Sequence, residues 1–239
     1  MIKSVLLLGW ALLIACPSVE SLRAQSRSSH VLILGGGTSH DFIRNYQEID
    51  SRILAADGFS VRYVETFAGM LNELKWADVF IQASNQAPDP DQDSRRALLD
   101  FVEAGHGLII VHAGVWYNWA SWPQYNRALV GGGSHGHDEI GEFTVNVGAA
   151  NHPILEGIPK QFRIRDELYH EEIDPAGSPV EVLATATSLK TGKIFPSLWV
   201  VREGHGRIVC LALGHDEQAH NNPAYVRILE NATRWVGKK

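Results

Sequence analysis

Residues 107–117 read GLIIVHAGVWY. The run Leu108–Val111 is apolar without alternation, the pattern of a strand buried on both faces rather than on one. His112 follows at the point where the chain must turn. A strand of that kind belongs to a parallel sheet covered by helices, and the turn after it is a place where other sheets of this type hold a Cys or Ser nucleophile. Here the residue is an imidazole.

Working outward, the same cycle recurs. His30–Leu34 predicts a first buried strand, ending in Gly35-Gly36-Gly37. Phe42–Ala56 carries apolar residues at helical spacing, Gly58 closes that helix, and Phe59–Val64 predicts a second strand. A short helix near Met70–Leu74, a strand at Asp78–Gln82 and a helix over Asp91–Glu103 lead back to Gly107–Val111. Strands alternating with helices predict an α/β fold with a mostly parallel sheet and helices on both faces. The later runs Glu142–Val147, Phe162–Arg165, Val180–Ala186 and Ser197–Val201 are shorter and partly alternating. They extend the sheet or form an antiparallel flap over it. Arg207–Leu213 reads as another buried strand and Asn222–Val236 as a closing helix.

The chain has 239 residues and a net charge of −6. That balance argues against a nucleic-acid partner. Lys3 and the apolar run Val5–Ala15 predict an export signal over residues 1–24, with the folded domain at 30–237. Leu13-Ile14-Ala15-Cys16 would place a lipid on Cys16, whereas Leu22-Arg23-Ala24 would suit ordinary cleavage; an uncleaved membrane anchor is the third reading. The expected location is periplasmic or secreted, with possible lipid anchoring through Cys16. The only other cysteine, Cys210, lies inside an apolar strand and reads as a buried thiol, so no intramolecular disulfide is expected.

The eleven histidines carry the chemistry. His40 follows the loop after the first strand, His112 the fourth, and His215 the Cys210 strand. Ligands of open α/β sheets bind beyond the carboxyl ends of the strands, so these three imidazoles are delivered to one edge. His135 and His137, in the glycine-rich stretch 131–137, are either site residues or part of a surface loop. Trp116, Trp119 and Trp122 are either a platform for a sugar ring or a lid on the core. Asp166-Glu167-Leu168-Tyr169 offers two carboxylates and a phenol: Glu167 as general base or metal ligand, Asp166 and Tyr169 as substrate contacts, or the pair as solvated capping groups. His152-Pro153 reads as a turn, His106 as a loop residue and His220 as the start of a surface turn.

The ordered set formed by His40, His112-Ala113, Gly131-Gly132 with Gly136-His137, His152-Pro153-Ile154, Asp166-Glu167-Leu168-Tyr169, Gly204-His205-Gly206-Arg207 and Leu213-Gly214-His215-Asp216 resembles the ThuA-like, or trehalose-utilisation, family. Where relatives carry an aromatic before the Gly-His pair, this chain has Ser134 and His135. The resemblance implies a flavodoxin-like fold related to class I glutamine amidotransferases, and a link to keto-sugars produced by partner sugar oxidoreductases. Glutaminase chemistry is not expected, because His112 stands where the thiolate would be needed.

Two functions follow as expectations. One is an enzyme acting on a keto-sugar or disaccharide by hydrolysis, elimination or isomerisation. In it His40, His112 and His215 would hold a divalent metal such as zinc, or act as acids and bases without one, and His112, His137 and Glu167 would carry proton transfer. Trp116, Trp119, Asp166 and Tyr169 would bind the sugar, and no nucleotide cofactor is expected. The other is an exported sugar-binding module that uses the same cleft without turnover.

Overall fold

A computed structural model describes residues 29–86, 89–148 and 151–238. The export signal and Cys16 lie outside the described residues. In chain order the strands are β1 His30–Leu34, β2 Ser60–Val64, β3 Val79–Gln82, β4 Gly107–Val111, β5 Gly132–His137, β6 Gly141–Val147, β7 Gln161–Asp166, β8 Tyr169–Ile173, β9 Val180–Thr187, β10 Ile194–Val201 and β11 Arg207–Leu211. The α-helices are α1 Ser51–Ala56, α2 Phe67–Glu73, α3 Gln92–Glu103, α4 Glu217–His220 and α5 Pro223–Val236.

Nine strands form one sheet in the order β2-β1-β3-β4-β11-β10-β9-β6-β7. The half from β2 to β11 is parallel. The half from β10 to β7 is antiparallel. Of the two alternatives for the later strands the first is realised: β6, β7, β9 and β10 all extend the sheet, while β5 and β8, which the sequence reading left out, pair as a separate antiparallel ribbon.

Successive residues of the central strands feed opposite cores, as the two-residue period requires. Val31, Ile33, Ile109, Val111, Val209 and Leu211 meet α5 residues such as Ile228 and Leu229 on one face. Leu32, Leu34, Leu108, Ile110, Ile208 and Cys210 meet Met70 of α2 and Leu98 of α3 on the other. Helix α3 starts where the Asp91 carboxylate accepts the Ser94 N–H at 2.8 Å, and α5 where Asn222 caps it ahead of Pro223.

The helix expected over Phe42–Ala56 is divided. Ile43–Asp50 winds in wide π-type turns before α1 continues it. Such i→i+5 turns bring residues four and five apart onto one face. Asn45, Tyr46, Ile49 and Asp50 all turn inward as a result.

Candidate functional site

Parallel strands end together at one edge of the sheet, and three of those ends carry the histidines. His112 directly follows β4 and is the only non-glycine residue with positive φ, +44°, among the described residues. That left-handed backbone costs roughly 1–2 kcal/mol, and it persists because the surrounding core holds the turn. His112 Nδ1 donates to the Ala212 carbonyl at 2.8 Å. A carbonyl only accepts, so Nε2, turned toward His40 and Glu167, is the nitrogen left for the site.

His40 Nε2 lies 3.1 Å from His112 Nε2 and 3.1 Å from His215 Nδ1. Glu167 arrives from the two-residue link between β7 and β8. Its Oε2 is 3.0 Å from His215 Nδ1 and 3.6 Å from His112 Nε2, and its Oε1 is 3.4 Å from His137 Nδ1. One donor atom from each of His40, His112, Glu167 and His215 falls within 4.8 Å of all the others. These four side chains, three imidazoles and a carboxylate, could together hold a metal ion.

The electrostatics differ from group to group. Burial, with the nearby His112 and His215, pushes the His40 imidazole down to about 3, so it remains a neutral donor. Burial alone would raise the Glu167 carboxyl, but the adjoining His112 and His215 imidazoles outweigh it and hold the group well below the usual carboxylate range. The bond to Glu167 raises His215 in turn, against the opposing pull of burial.

His40, Glu167 and His215 line a cleft of about 380 Å³, with the fully buried His112 directly behind them. Trp116 and Tyr117 wall it, with Tyr169 over the His112 ring at a centroid distance of 4.3 Å. His137 stands at the rim with its side chain 39% exposed and its Nδ1 2.8 Å from the Asp138 carbonyl.

Several expected site residues lie elsewhere. Trp119 and Trp122 are buried in the core between Phe67 and Tyr125, and the Trp119 indole donates to the Gln86 carbonyl at 2.9 Å, so neither offers a face to the cleft. Asp166 is also fully buried and does not line the cleft. Its carboxylate accepts the N–H groups of Glu167, Gly214 and His215 at 2.8–3.0 Å, and so positions both the Glu167 link and the His215 loop. Burial raises this carboxyl despite His112 and those donors. His135 stacks on Tyr117 at 4.1 Å, outside the floor.

The cleft also contains Ser39, Asn85, Tyr117 and Asn118, which the sequence reading missed. Asn85 lies just beyond β3, so the strand-end rule that singled out the histidines reaches it too. His220, read as a surface residue, is fully buried against Asp50. Cys210 is buried as expected, its thiol pushed far up by the loss of solvent, and it packs near the Leu129 and Val130 carbonyls rather than lining the cleft.

A family model described as trehalose utilisation matches residues 30–236. The chain belongs to the ThuA family. Among solved structures, this ThuA chain is similar to a ThuA-like protein of Parabacteroides merdae at 21% identity and TM-score 0.77, covering 89% of this chain and 91% of that one. It is similar to a ThuA-like protein of Bacteroides uniformis at 21% identity and TM-score 0.72, covering 88% and 93%. A β-galactosidase of Rahnella sp. R3 shares the fold at 17% identity and TM-score 0.60, over 87% of this chain but 31% of that enzyme. No curated protein sequence matches the chain. The architecture is the glutamine amidotransferase-like fold of the ThuA-like neighbours.

Proposed function

We propose that this ThuA-family chain is an enzyme acting on a sugar that bears a keto group, through acid and base chemistry in the His40–His112–Glu167–His215 cleft. The observation that carries the reading is the convergence of three imidazoles and a carboxylate, from four separate segments, beneath an indole wall. A divalent cation such as zinc, when bound there, supplies Lewis acidity toward the keto oxygen. Glu167, held ionised between His112 and His215, is assigned to ligation rather than to proton removal.

Proton transfer falls to His137. Its Nδ1 is committed to the Asp138 carbonyl, which leaves Nε2 at the rim as the nitrogen that can accept a proton. His137 takes the proton from the carbon beside the keto group while the C–H electron pair passes toward the keto oxygen. Returning that proton to the neighbouring position gives an isomer. Alternatively the glycosidic C–O bond on the next carbon breaks, its oxygen leaving as an alcohol with the proton that His137 took, and water adds to the resulting unsaturated ketone. Trp116 offers an apolar face for the C–H side of the sugar ring.

The keto group implies a preceding oxidation, the task of a partner sugar oxidoreductase, and the Lys3 to Ala15 segment would place the reaction outside the cytoplasm. The rival reading, a binding module without turnover, loses two of its three indoles because Trp119 and Trp122 are buried. Incubation with a 3-keto-disaccharide, with and without added zinc, should release a monosaccharide or form an isomer detectable by NMR. Tight binding without turnover would favour the module, and elemental analysis finding no metal above background after loading would remove the metal from the proposal.

A further inference from the structure

Beneath the cleft lies a buried ion pair with no part in the proposed chemistry. His220, at the end of α4, places Nδ1 2.7 Å from Asp50 Oδ1, and both side chains are fully buried. Its Nε2 is 2.9 Å from the Gly214 carbonyl. Tyr225 donates its hydroxyl to Asp50 Oδ2 at 3.1 Å. A carboxylate that receives the tyrosine proton and a carbonyl that only accepts leave the imidazole donating from both nitrogens. Burial lowers the His220 imidazole, but Asp50 and the Gly214 carbonyl outweigh it, and the net direction is upward.

The Gly214–His215 segment is thus gripped from two sides. Its N–H groups at Gly214 and His215 enter the Asp166 carboxylate, and the Gly214 carbonyl meets His220, with the Tyr46 hydroxyl at 3.4 Å. Gly214 has φ +122°, and a Cβ there would meet His220 Nε2 and the Tyr225 ring, each at 3.2 Å. Only glycine lets the segment sit against these rings. The next side chain is His215, whose Nδ1 lies within hydrogen-bond reach of both Glu167 and His40.

We propose that Asp50 and His220 are positioning residues that aim the His215 imidazole into the cleft by holding the Gly214 carbonyl. The proposal rests on the reading of His215 as a working member of the site, and not on the metal itself. The wide turns of Ile43–Asp50 serve the same end, since they rotate Asp50 inward to meet His220. Residues that act through a ligand in this way commonly change metal affinity 10- to 100-fold, about the size of effect expected here.

Two substitutions separate positioning from mere core packing. His220→Asn keeps a group near Asp50 but does not reach Gly214, whereas His220→Gln keeps a donor for Gly214 and drops Asp50. In ¹⁵N spectra of the metal-free full chain, His220→Asn should shift the His215 imidazole resonances and should weaken zinc binding by about 10-fold or more. His220→Gln should keep zinc affinity within about threefold. Tyr225→Phe, which removes a hydrogen bond from the same buried cluster but leaves the grip on Gly214, should lower the melting temperature without moving His215. Unchanged His215 resonances in both His220 variants would overturn the proposal, as would a Tyr225→Phe shift equal to that of His220→Asn. If His220→Asn does not fold, Asp50→Asn decides: a displaced His215 signal supports the grip and an unmoved one refutes it. A wild-type chain that takes up no zinc refutes the metal reading alone, because the metal-free spectra still report on His215.

Discussion

The two halves of the sheet contribute different chemistry. The parallel half delivers His40, His112 and His215 from the ends of β1, β4 and β11, each on a turn anchored in fully buried strands. The antiparallel half and its ribbon deliver Glu167 from the β7–β8 link and His137 from β5. One side supplies three imidazole nitrogens on a rigid floor. The other supplies the charge and the exposed group that can move a proton. A cleft between them obtains both, and substitutions on the two sides should fail in different ways.

The largest effect is expected on the parallel side. His112→Ala should abolish zinc uptake, with affinity falling by roughly 100-fold or more by calorimetry, and turnover should disappear with it. His137→Gln should do the converse: zinc uptake stays near wild type while kcat on a keto-sugar falls by about 100-fold. Equal loss of metal in both variants would break the division of labour. Asp166 joins the halves, since it ends β7 and holds the β11 loop. Asp166→Asn would turn an N–H donor toward backbone N–H donors and should cost about 2 kcal/mol in urea unfolding.

The smallest effect lies in the pH dependence. His40 is held at about 3 against an ordinary value of 6.5. Between those two values the unfolded chain binds a proton that the folded chain does not, so His40 destabilises the metal-free fold as the pH falls. His40→Gln should therefore lose less stability than wild type between about pH 6.5 and pH 4, by a difference of about 1 kcal/mol after allowance for partial exposure. His215, raised by Glu167, works in the opposite sense. Its contribution is complete below pH 6.5 and fades as the pH rises through the folded value. A wild-type acid profile no steeper than that of His40→Gln would show that the cluster does not impose the penalty.

Much of the parallel half was legible from the chain. Leu108–Val111 and Val31–Leu34 lack polar residues because both strand faces are covered, and β1 and β4 occupy the ranges expected of them. The ribbon was not legible. Gly132–His137 has four glycines or serines and two histidines with no apolar alternation, and its pairing depends on β8 more than thirty residues away. Aromatic content misled at Trp119 and Trp122, whose indoles are equally suited to a sugar and to a core. The N–H of each decides nothing until its surroundings are known; for Trp119 the acceptor is the Gln86 carbonyl. His220 misled for the opposite reason, since the polar residues around it conceal a side chain buried against an aspartate 170 positions earlier.

By itself, then, the sequence determined which strands are buried and which histidines stand at their ends, because solvent exclusion and strand period are written in local composition. Tertiary structure alone decided which carboxylate meets those histidines, that Asp166 is buried beneath the N–H groups of Glu167, Gly214 and His215, and that the Gly214 carbonyl meets His220. Those outcomes depend on groups from distant segments meeting within about 3 Å, and no local pattern encodes such a distance.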